Sequence, residues 1–540
     1  MTVNNFTQKD YTLSQAYYQL KLPLNIDCII PENDSVRLLS QFVEEMNLSE
    51  LYATYFRIRK NQASPCQLLK IMLYAYMNRI YSSRAIEQAC RRDINFMFLL
   101  EDAPPPDHAT IARFRSLHLG RCSEKMMAEV STLLFKLGEI SAQNIFIDGT
   151  KMEAASNKYT FVWKKAITKY LAKLLQKIAD LVSECESLYE IHIVYKDKVK
   201  LKDVKKLRKQ LYALKKSEGI TFVHGIGKRK TPLQRSIEKL EDYLSKLKEY
   251  TQKIYRCGKR NSYSKTDQDA TFMRMKEDAM KNGQLKPAYN LQHGVDSEYV
   301  VWLTIGPQPT DTTTLIPFLK SMEKHLDFKY QNIVADAGYE SEENYLFIEG
   351  NKQTSFIKTA DYETSKTGKY KKDIGKRENM IYDEEKDCYT CHNHKQLVVT
   401  NIRYTKSKTG YISEKTQYTS QDCSDCEYKS KCIKGNNSKT PLEDRLKRLE
   451  VSKLFQVKRK ENLERIITDK GRQLRMNRSI QAEGSFGEIK SNMCFRRYLC
   501  KGKKNVLTES ILLGIAHNVN KLHHKIQKER TKTYLFELSK

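Results

Sequence analysis

The sequence predicts a mixed α/β core that is preceded by an all-α segment and interrupted by two insertions. Three observations predict this fold class. Apolar residues recur at helical spacing through most of residues 1–125. Short apolar strands follow at 144–152 and 287–307, and another closes on residue 336. Between the first two strands, residues 160–260 carry leucine and isoleucine at heptad-like spacing, which is typical of a helical coiled-coil hairpin.

The charge of the chain predicts a polyanionic partner. Its 540 residues include 94 Lys and Arg against 65 Asp and Glu, a net charge of +29. The basic residues are spread over the whole length, so the surface would attract DNA or RNA phosphates through counterion release. Charge alone leaves a ribosomal-type or membrane-surface protein open, and it says nothing about chemistry.

The absence of membrane and export signals in the sequence predicts a cytoplasmic, nucleoid-associated protein. No apolar run approaches the ~20 residues that span a bilayer. The first residues lack the charged start and apolar stretch of a signal peptide. In that compartment the 13 cysteines predict thiols or metal ligands rather than disulfides.

The N-terminal segment shows clear helix starts. Ser64 begins a predicted capping box with a proline at the first helical position. Asp107, after three prolines, can cap a helix that bears Arg113 and Arg115. Short capped helices with arginines suit a helix-turn-helix that binds DNA. A plain helical bundle is an equally weighted alternative.

Two predicted strands end in an aspartate with a glycine close behind it, at Asp148 (FIDGT) and Asp336 (VADAGYES). Each alone is more typical of a turn. A third acidic residue, Glu483, lies on a strongly basic predicted helix, where the alternative is a surface charge network. Three converging carboxylates could hold two divalent ions for phosphodiester cleavage. Lys490, two helical turns beyond Glu483, could contact a phosphate, and Arg478 could do likewise.

Five cysteines fall within residues 388–432 and predict a metal site. Two CxxC pairs are present, and four thiolates would hold a structural Zn²⁺ that folds a small polar segment. His392 and His394 are further possible ligands, and free surface thiols are the alternative. The five candidates for the four places are Cys388, Cys391, Cys423, Cys426 and Cys432.

Several motifs, in order, resemble an insertion-sequence transposase of the DDE type. They are FIDGTKMEA, GQLKPAYNLQHGVD, PTDTTTLIPFL, VADAGYES and the Glu-x6-Lys helix, and with the helical N-terminus the resemblance covers about 35–525. It implies an RNase H-like catalytic core, a mixed sheet flanked by helices. It also implies that Asp148, Asp336 and Glu483 bind Mg²⁺ or Mn²⁺ and that Lys490 is the lysine of the C-terminal motif.

The resemblance further implies a structural Zn²⁺ on Cys391, Cys423, Cys426 and Cys432, with Cys388 spare. It implies double-stranded DNA as partner, both element ends and target, with the chain acting as a homo-oligomer that cleaves strand ends and joins 3′-hydroxyls to target.

The chain departs from the wider superfamily's pattern around the last carboxylate. Met476 stands in place of a tyrosine, and Arg478 lies one position early, which puts the role of Arg478 in doubt. Glu488 is an alternative third ligand. Two other functions stay open, an inactive or domesticated DNA-binding protein and a Mg²⁺-dependent nuclease without joining activity.

The expected domain organisation has four parts. They are a helical DNA-binding domain at 1–125, a catalytic core formed by 140–160, 265–360 and 446–525, an inserted helical hairpin at 161–264 and a cysteine-rich insertion at 361–445.

Overall fold

The computed structural model describes residues 29–538, except 59–60, 194–198, 226, 276–282, 436–437 and 439. Its centre is a mixed six-stranded sheet. The strands β5, β1, β7 and β8 lie next to one another in that order. Both β4 and β6 pair with the side of β5 that faces away from β1. The strands are β1 (Asn144–Glu153), β4 (Thr271–Arg274), β5 (Leu285–Asp296), β6 (Tyr299–Gly306), β7 (Asn332–Ala335) and β8 (Thr354–Ile357).

Strand directions place the carboxyl ends of three strands at one edge of this sheet. β1 runs parallel to β7, and β7 runs parallel to β8. β5 runs antiparallel to β1, and β6 returns antiparallel to β5. The predicted hairpin between β5 and β6 is confirmed. Ser297 and Glu298 form its turn with φ of 56° and 71°, the left-handed backbone of a two-residue type I′ turn.

The N-terminal helices share one hydrophobic cluster with the sheet instead of forming a core of their own. The capping box at Ser64 is confirmed. The helix capped by Asp107 continues through a π-helical turn into the next helix, so the predicted short third helix is the start of a long one. The elements are α1 (Ser35–Glu44), α2 (Ser49–Tyr52), α3 (Pro65–Met77), α4 (Ser83–Arg92), α5 (Ile94–Leu100), α6 (His108–Arg113), the turn Phe114–Leu119 and α7 (Gly120–Lys136).

Residues 164–257 form three helices, which corrects the predicted two-helix hairpin. They are α8 (Lys164–Tyr189), α9 (Leu201–Ser217) and α10 (Pro232–Cys257). α10 packs against both of the others around a separate apolar cluster. The heptad-like leucines of α9 pack into the same apolar cluster as those of α8 and α10. A two-stranded ribbon, β2 (Phe161–Trp163) and β3 (Ser262–Ser264), joins the three helices to the rest of the chain.

The cysteine-rich segment contains a second sheet, which the sequence did not predict. Its five antiparallel strands lie in the order β13-β12-β11-β10-β9. They are β9 (Ile381–Asp383), β10 (Cys388–Thr390), β11 (Gln396–Lys406), β12 (Ile412–Ser420) and β13 (Arg448–Val451), with short helices α13 (Gly368–Lys371) and α14 (Lys429–Cys432) nearby.

The C-terminal helices cover the main sheet. α15 (Lys453–Ile467) and α16 (Asp469–Arg478) contact β8, and α16 also contacts β1 and β7. Two π-helical turns flank α17 (Gly484–Gly487), and the chain then ends in α18 (Lys503–Gln527) and a short tail. α18 packs against β6, α3 and α7, which connects the N-terminal helices to the sheet. Within the described ranges, no helix combines the length and apolar character needed to cross a membrane.

Candidate active site

Asp148 and Asp336 lie side by side at the edge of the main sheet. The last paired residues of the parallel strands β1 and β7 are Ile147 and Ala335, and each aspartate is the next residue along. Neighbouring strands are about 4.8 Å apart, and residues at matching register positions share a face. The two carboxylates therefore start from adjacent backbone positions on one side of the sheet. The Asp148 side chain is only 12% exposed.

Glu483 reaches the same face from a helix. It ends a π-helical turn, Ser479–Glu483, and α17 follows directly. His293, the partner of Asp148 across β1 and β5, ties this helical segment to the sheet. Its Nδ1 lies 3.2 Å from Ser485 Oγ, and its ring stacks on Phe486 with 4.3 Å between centroids. The Glu483 side chain itself is 54% exposed, far more than that of Asp148.

One guanidinium connects the strand-borne and helix-borne carboxylates. Arg478 Nη2 donates to Glu483 Oε1 at 2.6 Å. Arg478 Nη1 lies 3.6 Å from Asp148 Oδ1, too far for a hydrogen bond, and is buried without a hydrogen-bond partner in the structure. A cation placed between the two carboxylates is therefore already part of this fold. The guanidinium charge stands where positive charge from a metal ion would be needed.

The donor set fits a hard divalent cation, although the side chains are not gathered into a finished site. Mg²⁺ takes oxygen ligands and keeps several waters, so carboxylates from two strand ends and one helix are suitable donors. Over the part of the chain that the structure describes, no group of three or more His, Cys, Asp or Glu side chains is close enough to hold a metal ion. Glu483 would have to leave Arg478 and turn toward the aspartates.

Glu488, the alternative third ligand, is directed toward basic side chains of the last helix and away from the aspartates. Its Oε2 lies 3.5 Å from Lys521 Nζ and 4.0 Å from Nδ1 of His517, both on α18. It therefore joins the π-helical turn Glu488–Asn492 to the last helix. This geometry favours Glu483 over Glu488 as the helix-borne carboxylate of the site.

Lys490 lies beside the strand that carries Asp148. Its Nζ donates to Thr150 Oγ1 at 2.8 Å and lies 3.4 Å from the carbonyl oxygen of Lys151. Thr150 follows Asp148 by two residues on β1 and so points to the same face. The ammonium group therefore stands next to the carboxylates, where a DNA phosphate entering the site would meet it.

A buried polar cluster beneath the aspartates is a feature that the sequence did not identify. Asp311 Oδ1 accepts from Asn290 Nδ2 at 2.7 Å and from Gln292 Nε2 at 2.9 Å. Tyr339, just after Asp336, donates its hydroxyl to Gln292 Oε1. Burial raises the pKa of Tyr339 well above its usual value. The charges of Asp311, Asp148 and Asp336 raise it further, which places all three carboxylates around this ring.

Gly149 makes room for this cluster. A Cβ there would lie 2.3 Å from Gln292 Nε2 and 2.8 Å from Asp311 Oδ1. The glycine of FIDGT is thus required by space, and it lets the polar cluster pack directly under β1. Asp311 lies ahead of helix α11 (Leu315–His325) and does not cap it, since the N-cap residue is Thr314. Its presence in the PTDTTT motif was the one signal that could have indicated a role near the site.

The C-terminal tail forms hydrogen bonds with the helical segment that carries Glu483. Asn477 and Gln481 are buried and pair with tail backbone. Asn477 accepts from the Phe536 amide at 2.8 Å and donates to its carbonyl at 2.9 Å. Gln481 Nε2 donates to the Tyr534 carbonyl at 3.0 Å, and Gln481 Oε1 accepts from the Glu298 amide. These bonds link the hairpin turn, the tail and the helix that presents Glu483.

The four cysteines favoured by the resemblance interact electrostatically at Cys432, although among the described residues no cysteines are gathered closely enough to hold a metal ion. Burial raises the pKa of the Cys432 thiol. Lys447 lowers it, and the neighbouring thiols of Cys391, Cys423 and Cys426 raise it again. Cys391 opens a tight turn after β10, in which its amide donates to the Lys395 carbonyl at 2.9 Å. All described cysteines are free thiols, and these four are partly exposed.

The other candidate zinc ligands are placed differently. Cys388 is buried within β10 at 2% exposure, and its thiol is not among those that influence Cys432. His392 packs edge-on against Tyr428 with 4.8 Å between ring centroids. His394 closes the tight turn by donating its amide to the Cys391 carbonyl at 3.0 Å.

The two arginines predicted to bind DNA in the N-terminal segment differ. Arg113 is exposed and donates only to the carbonyl of Ala109 in its own helix. Arg115 Nη1 donates inward to Tyr76 Oη at 3.3 Å and to the Tyr81 carbonyl at 3.2 Å. In this structure the Arg115 guanidinium is engaged in packing, so Arg113 is the better placed of the two to contact a partner.

Two family models match the chain. Residues 365–523 match a Transposase DDE domain, and residues 24–117 match a Transposase domain (DUF772). The first match includes Glu483 and Lys490 but begins after both aspartates in the chain, and it is the strand register that places those two side by side. No curated protein and no solved structure matches the chain.

A mixed sheet flanked by helices, a helical N-terminal region and a carboxylate-bearing edge define the class of protein, a transposase with a DDE domain. The two matches, over residues 365–523 and 24–117, support an insertion-sequence transposase of the DDE type.

Proposed function

We propose that this transposase cleaves the ends of its element and joins the 3′-hydroxyls to target DNA at Asp148, Asp336 and Glu483. The observation that carries the proposal is the strand register that sets the two aspartates side by side, with Arg478 linking one of them to Glu483. We also propose that the core is RNase H-like. Three antiparallel strands, β6, β5 and β1, followed by β7 and β8 parallel to β1, support this.

In the proposed site, some residues would hold metal ions and others would hold the DNA phosphate. A pair of divalent cations, Mg²⁺ or Mn²⁺, would supply Lewis acidity to the attacking and leaving oxygens of the phosphodiester. Asp148 and Asp336 offer ligand oxygens from a rigid sheet edge. Glu483 completes the set from the helix after releasing Arg478. The freed guanidinium and Lys490 then hold the negative phosphate beside the carboxylates by charge-assisted contacts.

The decisive experiment removes one ligand charge without changing shape. Asp148→Asn and Asp336→Asn should each abolish Mg²⁺-dependent nicking of DNA that contains element ends, while DNA binding persists. Asp469→Asn, at a side chain that is 90% exposed, is the matched control and should cut normally. Nicking by either site variant at the wild-type rate would overturn the assignment.

Joining distinguishes a transposase from a nuclease with the same site. Strand-transfer products should form when pre-cleaved ends with free 3′-hydroxyls are given a target duplex. Cleavage without joining would favour the nuclease. Binding without cleavage would favour an inactive or domesticated DNA-binding protein, against which the intact carboxylate set argues. Because an element has two ends and each copy carries one site, we propose that the chain acts as a homo-oligomer on DNA, in association with the nucleoid.

We further propose that Cys391, Cys423, Cys426 and Cys432 hold a structural Zn²⁺. Their mutual influence on the Cys432 thiol supports this set. The small sheet they adjoin buries few apolar residues, so a metal would add needed stability. Purified protein should contain one zinc per chain by elemental analysis. Cys423→Ser should lose the zinc and Cys388→Ser should keep it, and the reverse result would refute the set.

Arg113 is proposed as a DNA contact of the N-terminal helices, and Arg115 is not. Arg113→Ala should weaken end binding by the loss of one phosphate or base contact while leaving the melting temperature unchanged. Arg115→Ala should mainly lower the melting temperature, because it leaves buried acceptors unpaired.

A further inference from the structure

The middle helix of the three-helix segment carries an unusual charge. α9 has seven basic residues and one acidic residue, a net of 7 − 1 = +6. The two helices it accompanies are nearly balanced. α8 has five basic and three acidic residues, and α10 has six and four, so each has a net of +2. The single acid of α9, Asp203, is buried and accepts from the Lys200 amide at the helix start.

The charge on α9 is not compensated by ion pairs within the described chain. Ion pairs do form on the neighbouring helices, where Lys239 pairs with Glu184, Lys246 with Asp242 and Lys253 with Glu249. Among the described residues, none of the basic side chains of α9 forms such a pair. Lys215 instead lies over the ring of Phe222 at 3.6 Å and stays against the protein.

Packing fixes which way the lysines face. Val204, Leu207 and Leu211 are fully buried against α10. With 100° per residue, four lysines fall within about 60° of one another on the opposite side of the helix. These four, which we call the outer lysine stripe, are all exposed: Lys202, Lys205, Lys209 and Lys216.

This arrangement lowers the stability of the helix itself. Lys202, Lys205 and Lys209 are like charges at i, i+3 and i+4 spacing, and each such pair destabilises a helix by roughly 0.2–0.5 kcal/mol. Lys202 also stands in the first turn, where the helix dipole disfavours positive charge. A solubilising surface would be served equally well by mixed charges like those of α8 and α10. The single sign of the stripe therefore calls for a negative partner.

We propose that the outer lysine stripe binds the phosphate backbone of duplex DNA without reading its sequence. This inference rests on the proposed function, which supplies DNA as the partner. The stripe runs for about 21 Å along the helix at 1.5 Å per residue, whereas duplex DNA carries one charge per ~1.7 Å. Lysines on long flexible stems suit phosphates, and the stripe offers no Asn, Gln or Arg fork for base edges.

The test is the salt dependence of binding to a 30-base-pair duplex of unrelated sequence. The variant replaces all four stripe lysines with glutamine, a residue of similar helix propensity. Each phosphate contact contributes about 0.9 to the slope of log Kobs against log salt concentration, so the slope should fall by about 3.6 if all four lysines bind phosphates. A variant with arginine at the same four positions should restore the slope.

The matched control removes the same charge from the neighbouring helix. Lys165, Lys169, Lys173 and Lys177 of α8 are exposed or nearly so, and their replacement with glutamine also lowers the net charge by four. The proposal expects a much smaller change in slope here. An equal change in both variants would show a general charge effect and overturn the assignment. Circular dichroism and melting confirm that both variants fold.

The outcomes separate this inference from the proposed function. If the stripe variant keeps the wild-type slope and still nicks DNA with Mg²⁺, the stripe assignment fails and the transposase stands. If wild-type protein neither binds nor nicks duplex DNA, the proposed function fails first. Loss of single-stranded RNA binding with duplex binding unchanged would assign the stripe to RNA and refute the DNA surface.

Discussion

The two halves of the active site are built differently. Asp148 lies within β1, Asp336 directly follows the parallel neighbour β7, and eight residues of β1, Asp148 among them, are paired with β5 on the other side. Glu483 stands on a π-helical turn, is mostly exposed, and has Arg478 as its partner. The strand-borne half is preformed by main-chain hydrogen bonds. The helix-borne half depends on side chains that can exchange partners.

This difference teaches where regulation of such a site can act. In the proposed site the two aspartates would form a rigid pair of ligands, whereas Glu483 would have to be delivered to them from its contact with Arg478. Delivery depends on what holds the helix, namely His293 beneath it, Arg478 beside it, and the C-terminal tail behind Asn477 and Gln481. Each of these contacts can be broken separately, which gives the following predictions, from the largest expected effect to the smallest.

Glu483→Gln should abolish cleavage although the side chain is 54% exposed. Loss of a ligand charge at a metal-assisted step costs several kcal/mol, so a rate decrease of about a thousandfold or more is expected. Single-turnover nicking in Mg²⁺ measures it. Glu488→Gln is the control and should cut at a near-normal rate with a lower melting temperature, because it loses its pairing with Lys521. The opposite pattern would make Glu488 the ligand.

Gln481→Ala should weaken the attachment of the helical segment that carries Glu483 and leave the two aspartates in place. The substitution removes hydrogen bonds to the partly exposed Tyr534 carbonyl and Glu298 amide, which costs about 0.5–1.5 kcal/mol of stability per bond. Denaturant unfolding measures that loss, and the midpoint for Mg²⁺ activation of nicking should rise. Gln473→Ala, which removes a longer 3.4 Å bond to the same tail, is the milder comparison. Unchanged stability in both variants would show that the tail does not hold the helix.

Arg478→Ala should separate two roles of the guanidinium. Without it, the carboxylates repel each other and attract a cation more strongly, so nicking should reach half-saturation at a several-fold lower Mg²⁺ concentration. The maximum rate should fall, since a phosphate contact is lost as well. Arg478→Lys should restore part of the rate. A higher Mg²⁺ requirement in the alanine variant would mean that Arg478 organises the site rather than competing with metal.

His293 makes stability depend on pH in a predictable direction. Burial lowers the pKa of His293 to about 3, so the folded protein keeps it neutral while the unfolded chain titrates near 6.5. A depressed folded pKa gives stability that is complete above 6.5 and is lost as pH falls toward 3. One such histidine costs about 0.8 kcal/mol between pH 8 and pH 6. Unfolding of His293→Gln at both pH values should show a smaller difference than the wild type.

Much of the strand-borne half was predictable, because its signals are local. Asp336 follows a short apolar strand as expected, whereas β1 continues to Glu153, so Asp148 lies within its strand and not at its end. The register between the two parallel strands sets the aspartates side by side. Glu483 was identified through a motif, and its distance from the aspartates depends on tertiary packing that no local pattern encodes.

Features that the sequence did not reveal have physical causes. The charge of Arg115 suggested a DNA contact, and only the fold shows that its position on the helix turns it toward the buried hydroxyl of Tyr76. The strands of the cysteine-rich segment bury little, so β11 shows no clean alternation of apolar and polar residues. Asp311 has an ordinary cap-like sequence context, and only the fold brings it beneath Gly149.

The ribbon β2–β3 has a consequence for how such a protein can change over evolutionary time. Trp163 and Ser262 are direct cross-strand partners, so the chain departs for the three helices and returns at one place. The entropy of closing a loop grows slowly with its length. Related elements can therefore lengthen, shorten or exchange everything between these two residues while β1 and β5 keep their pairing, and a short turn from Trp163 to Ser262 would leave the sheet edge intact.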